Sequence, residues 1–192
     1  MARARFRKNT QIMEGRAYDP FAHALTTIDE LHRLNHDGMV YHASGKVTGM
    51  IDANVDDFLI TVPAGTFPHI QNFKVTAGRG DIDVVAYEGT TTSADGSAVD
   101  SFNTNRNSSN TPDVVLTSAP TVTDVGTLVH TTWLAPTSTG TGLSANGFVG
   151  EGPGEEWVLA PSTKYLVRIT NNSGATIAYR YEFLWYEIAY DS

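Results

Sequence analysis

The strongest constraint is a two-residue alternation near residue 180. Tyr179, Tyr181, Phe183 and Trp185 fall on one side, and Arg180 and Glu182 stand between them. A period of two sends alternate side chains to opposite faces of a β-strand, so one face of this segment turns toward a core. The pattern recurs at Phe58, Ile60 and Val62, at Phe73, Val75 and Ala77, at Ile82, Val84 and Ala86, and at Tyr165, Val167 and Ile169. Weaker strands are expected near residues 40–50, 97–102, 113–117, 129–134 and 155–159. About eight to ten short strands separated by turns predict an all-β fold, an antiparallel β-sandwich of jelly-roll type. A single barrel and a Greek-key sandwich of another order are the alternatives. Gly78-Arg79-Gly80-Asp81 and Asn171-Asn172-Ser173-Gly174 carry turn chemistry and read as antiparallel hairpins.

One short helix is expected before the strands. Thr27 can cap it, Glu30 can reach back in a capping box, and Ile28, Leu31 and Leu34 follow at helical spacing until Gly38 stops the turn. Residues 1–26 lack sustained periodicity and read as an extended arm, leaving 27–192 as the sandwich domain. A chain of 192 residues is enough for one domain with a real core.

Charge also divides the chain, within the arm. Arg3, Arg5, Arg7, Lys8 and Arg16 face only Glu14 within residues 1–16, which makes that stretch +4. The total is −8, so the other 176 residues carry −12. A basic arm is joined to an acidic body. No cysteine occurs, which excludes disulfides, thiolate metal sites and cysteine nucleophiles. No apolar run reaches the length of a membrane span, and the basic N-terminus lacks the apolar stretch of a secretory signal.

Several motifs suggest chemistry, and each has a plainer reading. His32, His36 and His42 could form the core of a metal-dependent hydrolase. Arg33, however, occupies the place where a zinc-protease helix carries its general base, so packing or solvent contact is the plainer role. Asp52-Ala53-Asn54-Val55-Asp56-Asp57 copies the first half of a calcium loop. It then fails, with Asp57 at the glycine position and Pro63 at the bidentate position, and reads as a solvated acidic turn. Gly140, Gly142 and Gly147 meet no phosphate-loop fingerprint. Glu151, Glu155 and Glu156 are sequence neighbours rather than carboxylates opposed across a cleft. No cofactor is expected. The arm could contact phosphates, but no recognition helix or aromatic-interleaved sheet motif accompanies it and the body repels nucleic acid. Docking onto an acidic protein surface fits better. The loops 103–112 and 137–154 are long and polar or glycine-rich, the kind of segment that carries binding on a rigid scaffold.

LHRLNHDGMVYHASGKVTG, DDFLITVP, the segments at 87–99 and 106–127, and PSTKYLVRITNNSGATIAYRYEFLWYE at 161–187 together resemble a family of small structural proteins of tailed bacteriophages, capsid decoration (cement) proteins and head-fibre bases. The resemblance covers roughly residues 30–188 and has no catalytic signature. It implies a non-enzymatic virion protein on the exterior of the head that binds the major capsid protein and stabilises the shell, with a homotrimer as the expected state. Arg3, Arg5, Arg7, Lys8 and Arg16 are the residues expected to hold the capsid. The alternative is a carbohydrate- or receptor-binding sandwich of a head fibre or tail, with Trp133, Trp157 and Tyr186 as stacking faces.

Overall fold

The structure, a computed structural model, describes residues 16–19, 24–27, 30–77, 81–134, 144–147 and 156–189. The described chain opens with an antiparallel ladder of β1 (Arg16–Asp19) and β2 (Ala24–Thr27), followed by α1 (Glu30–His36). Next come β3 (Val40–Met50), β4 (Val55–Thr61), β5 (Thr66–Ala77) and β6 (Ile82–Glu88). An excursion then carries β7 (Thr91–Ala94), β8 (Ser97–Ala98), β9 (Phe102–Asn103), β10 (Val115–Ser118) and β11 (Thr121–Asp124). The rest is β12 (Thr127–Leu134), β13 (Ser144–Gly147), β14 (Trp157–Val158), β15 (Lys164–Asn171) and β16 (Ile177–Ala189).

Two large antiparallel sheets pack as a sandwich. One has the order β12-β6-β15-β4-β10-β8 and is called here the β15 sheet. The other, the β16 sheet, has the order β13-β5-β16-β3-β9, and β14 also pairs with β5. The alternating residues that predicted the strands fill the space between them. Phe58, Phe73, Val75, Ile82, Val84, Val167, Ile169, Tyr179, Phe183 and Trp185 are all buried in one cluster. Burying each large apolar side chain contributes about 1.5–3 kcal/mol. The aromatic rings meet edge to face, with Phe73 and Phe183 5.1 Å apart and Phe183 and Trp185 5.8 Å apart between centroids. Gly45 on β3 makes room for this layer: a Cβ there would lie 2.5 Å from the Tyr181 hydroxyl.

The two tight turns are not hairpins. β5 lies in the β16 sheet and β6 in the β15 sheet, and β15 and β16 likewise lie in opposite sheets. Both connections therefore lead from one sheet to the other. Alternation assigns each strand a buried face, but a strand across the core satisfies that face as well as one alongside does. Turn residues shorten a connection without choosing its plane. Asn171, fully buried, organises the connection from β15 to β16. Its amide nitrogen donates to the carbonyls of Met50 (3.0 Å) and Ala175 (2.8 Å), and its oxygen accepts from the Ser173 amide (3.0 Å).

α1 ends as expected. Gly38 has φ +71°, and the amides of Met39 and Gly38 donate to the carbonyls of Leu34 (2.9 Å) and Asn35 (3.1 Å), the Schellman pattern. Its start is displaced: Thr27 closes β2, the helix begins at Glu30, and residues 28 and 29 lie outside the described residues. Leu31 and Leu34 pack with Val40, Leu184 and Tyr186, on the face of the β16 sheet turned away from the core. Within the span read as an arm, Arg16–Asp19 and Ala24–Thr27 pair with each other.

Candidate functional site

The acidic turn between β3 and β4 is committed to the scaffold. Asp52 accepts the Gly174 amide at 2.7 Å. Asp56 accepts the Tyr179 hydroxyl at 2.9 Å. Asp57 receives the Arg168 guanidinium through two bonds of 2.8 Å, a bidentate geometry that also holds the guanidinium pKa above its ordinary value. These carboxylates therefore point to three different partners rather than toward one cation.

The histidines divide. His32 and His36 share one exposed side of α1, with their Nε2 atoms 3.0 Å apart, as the i, i+4 spacing requires. His42 stands on β3, half-buried, with its ring centroid 6.0 Å from that of Phe102. Among the described residues no three imidazole or carboxylate groups come together in a way that could hold a metal ion. Gly140, Gly142, Glu151 and Glu155 lie outside the described residues, and Gly147 ends β13.

Glu156 anchors a cluster that sequence reading did not assemble. His69 Nδ1 lies 3.1 Å from Oε1, the Tyr186 hydroxyl donates to Oε2 at 2.8 Å, and the Gln71 amide donates to Oε2 as well. The His69 ring stacks on Tyr186 at 4.5 Å between centroids. Partial burial pushes the Glu156 carboxyl up, but the bonds from His69, Tyr186 and Gln71 together outweigh it and the net shift is downward. The cluster ties the start of β14 to the outer face of the β16 sheet. His69 Nε2 is buried with no hydrogen-bond partner.

One residue beyond Tyr186, on the core side of the same strand, Glu187 is also buried. It accepts the amides of Asp113 (2.8 Å) and Val114 (3.1 Å) and the Trp185 indole N–H (2.8 Å). Here burial dominates and raises the carboxyl pKa despite the three donors. With burial as the larger cause, the same carboxylate helps push the Tyr41 hydroxyl up to about 12. Glu187 thereby fastens the end of the 103–112 loop to the sandwich. That loop is also fastened at its start: the Asn103 amide, buried, donates to the carbonyls of Gly38 (2.8 Å) and Asn110 (3.2 Å).

The cations form the clearest functional pattern. Arg3, Arg5, Arg7 and Lys8 lie outside the described residues, and Arg16 opens β1. Elsewhere, Arg33 pairs with Asp37, Lys164 with Asp95, and Arg168 with Asp57. Arg106 lies over the Phe102 ring at 5.6 Å. Among the lysines and arginines whose side chains are described, Lys46, Lys74 and Arg180 alone have no such partner. All three line one open groove of about 660 Å³ on the outer face of the β16 sheet. The signal was present in the sequence as outward positions of three strands, but nothing local shows that β3, β5 and β16 are neighbours.

Of the three aromatic residues considered as stacking faces, Trp157 is half-buried with its ring 5.6 Å from His130, and Tyr186 is buried. Trp133 is 53% exposed, with its indole N–H held by Asp81 at 2.9 Å. No helix among the described residues is long and apolar enough to cross a membrane. No family model, curated protein or solved structure matches the chain.

Proposed function

We propose that this protein is a structural component of a virion, a decoration protein that binds the exterior of a phage capsid through the major capsid protein and stabilises it as a homotrimer. The observation that carries the reading is the attachment of the basic N-terminal segment. That segment leads through β1 and β2 into α1, and α1 is seated on the outer face of the β16 sheet by Leu31 and Leu34. The sequence thus joins a basic N-terminal segment to a body of net negative charge, and α1, the helix between them, packs on one outer face of that body. Residues 1–16, fully extended, would span roughly 50 Å, enough to cross onto a neighbouring subunit. Many modest contacts repeated over a shell then act together.

The strand order supports a jelly-roll reading of the sandwich. β3, β16, β5 and β14 oppose β4, β15, β6 and β12, and β3 through β6 alternate between the sheets. Such a framework presents loops at both ends of the sandwich.

Co-sedimentation with shells that lack the protein tests the reading. Saturation at a copy number compatible with the shell symmetry, with a raised heat resistance of the shells, is the expected result. Absence of binding would overturn it. Replacing Arg3, Arg5, Arg7, Lys8 and Arg16 together by Ala should weaken shell binding by about tenfold or more while leaving thermal unfolding of the body unchanged.

Trp133 favours a second reading, a glycan- or receptor-binding sandwich of a head fibre or tail. Its exposed ring is fixed by Asp81, and a fixed aromatic face suits stacking on a sugar. A glycan array would show hits that disappear in Trp133→Ala, and an array without hits would remove this reading.

A further inference from the structure

We infer that the groove formed by Lys46, Lys74 and Arg180 is a binding site for an acidic polypeptide segment, and, resting on the capsid reading, a second docking point on the shell. The register brings the three cations together. Arg180 on β16 lies directly across from Lys46 on β3 and from Thr76 on β5, and Lys74 lies two residues along β5 from Thr76. Residues directly opposed in a sheet stand about 5 Å apart and diagonal neighbours about 7 Å apart. Like charges placed directly across a ladder destabilise it, so the Lys46–Arg180 pairing carries a cost. An anionic partner removes that cost.

Three observations choose the class of anion. The cations are spread along and across the strands rather than converging on a point, which suits a chain of charges better than a single small ion. Carboxylates on alternate residues of an extended segment repeat at about 6.6–6.8 Å, close to the diagonal spacing of the cations. Glu182 stands in the groove between Ser44 and Lys74, a carboxylate that opposes a uniformly charged phosphate chain but tolerates a polypeptide of mixed charge. Two aromatic rings line the groove, Tyr181, which packs over Gly45 toward the core, and His42 at one end, so no row of rings runs beside the cations as single-stranded nucleic acid requires. At the far end His42, also lining the groove, has a buried Nδ1 with no hydrogen-bond partner.

The test uses the full chain, with poly-L-glutamate as the probe and single-stranded DNA as the competitor class. The triple substitution Lys46→Ala, Lys74→Ala, Arg180→Ala changes side chains that are exposed or half-buried, and circular dichroism checks its fold. Expected are salt-sensitive binding of poly-L-glutamate, a loss of about tenfold or more in the triple variant, and retention in Lys46→Arg/Lys74→Arg. The comparison is repeated with Arg3, Arg5, Arg7 and Lys8 replaced by Ala, so that the arm does not mask the groove. Equal binding by the parent and the triple variant in that background overturns the site. Tighter binding of DNA than of poly-L-glutamate overturns the polypeptide assignment. Shell binding separates the two levels of the argument. Shells that retain the triple variant as well as the parent remove the groove from docking and leave the capsid reading standing. A parent that ignores shells, yet loses poly-L-glutamate through the triple substitution, removes the capsid reading and leaves the groove.

Discussion

Two carboxylates, Glu187 on β16 and Glu156 packed against its outer face, receive three hydrogen bonds each, yet their pKa values move in opposite directions. Glu187 lies on the core side, held by two backbone amides and an indole. Glu156 lies on the outer face, held by Tyr186, Gln71 and His69. Burial raises Glu187. For Glu156 burial is again the largest single influence, but it is outweighed by the hydrogen bonds together with the electrostatic attraction of His69, an imidazole that can carry charge. The number of donors therefore does not set the sign. Solvent access and the charge available to the neighbours set it.

The largest effect that could break this comparison is outright removal. Glu187→Ala leaves three buried donors unmet and should cost about 3 kcal/mol, read as a lower urea midpoint at unchanged slope. Glu156→Ala should cost only about 1 kcal/mol in the same assay, because its own side chain is 32% exposed and water can take its place. Equal costs would mean that the two sites are alike after all.

The pH dependence sharpens the contrast. A raised carboxyl favours the protonated native state, so the stabilisation from Glu187 is fully present below the ordinary carboxylate range and is lost as pH rises through its folded value. A depressed carboxyl works in reverse, and the stabilisation from Glu156 is present above the ordinary range and lost as pH falls through its folded value. Denaturant titrations between neutral and acidic pH should show the parent gaining on Glu187→Gln and losing ground to Glu156→Gln as acid is added. Parallel curves would refute the assignment of cause.

The smallest expected effect comes from one hydroxyl. Tyr186→Phe removes a single donor to Glu156 and should cost about 0.5–1 kcal/mol. The Glu156 carboxyl should move up toward its ordinary value while Glu187, next to the substituted residue, stays put. Carboxyl chemical shifts followed by NMR would report both at once.

Period two made the strands legible. Every alternating set that predicted one is buried or half-buried on its expected side, because burial on one face demands that spacing. The choice of sheet was hidden, and so the connections at 78–81 and 171–174 read as hairpins. The Glu156 cluster was hidden for a related reason: His69 and Gln71 are 87 and 85 residues away from it in the chain. A register shift in the β5–β16 ladder falls at Gln71, between the pairs Leu184–Asn72 and Trp185–Ile70. This irregularity keeps Ile70 and Phe73 both on the core side, which a strict alternation cannot express. The calcium-like turn failed as a motif in the sequence, and its carboxylates are engaged one by one with Gly174, Tyr179 and Arg168.

The position of the last two strands has a consequence for how the protein is made. β15 is bracketed by β6 and β4, and β16 by β5 and β3, so each sheet is closed through a strand that follows all its partners in the chain. Until residues 164–189 leave the ribosome, β3, β4, β5 and β6 have no central strand to pair with, and their apolar faces have nothing complete to close upon. Folding of the sandwich is therefore a late, nearly simultaneous event rather than a growth from the N-terminal side, and nascent chains stopped before β15 should remain open to protease along most of their length.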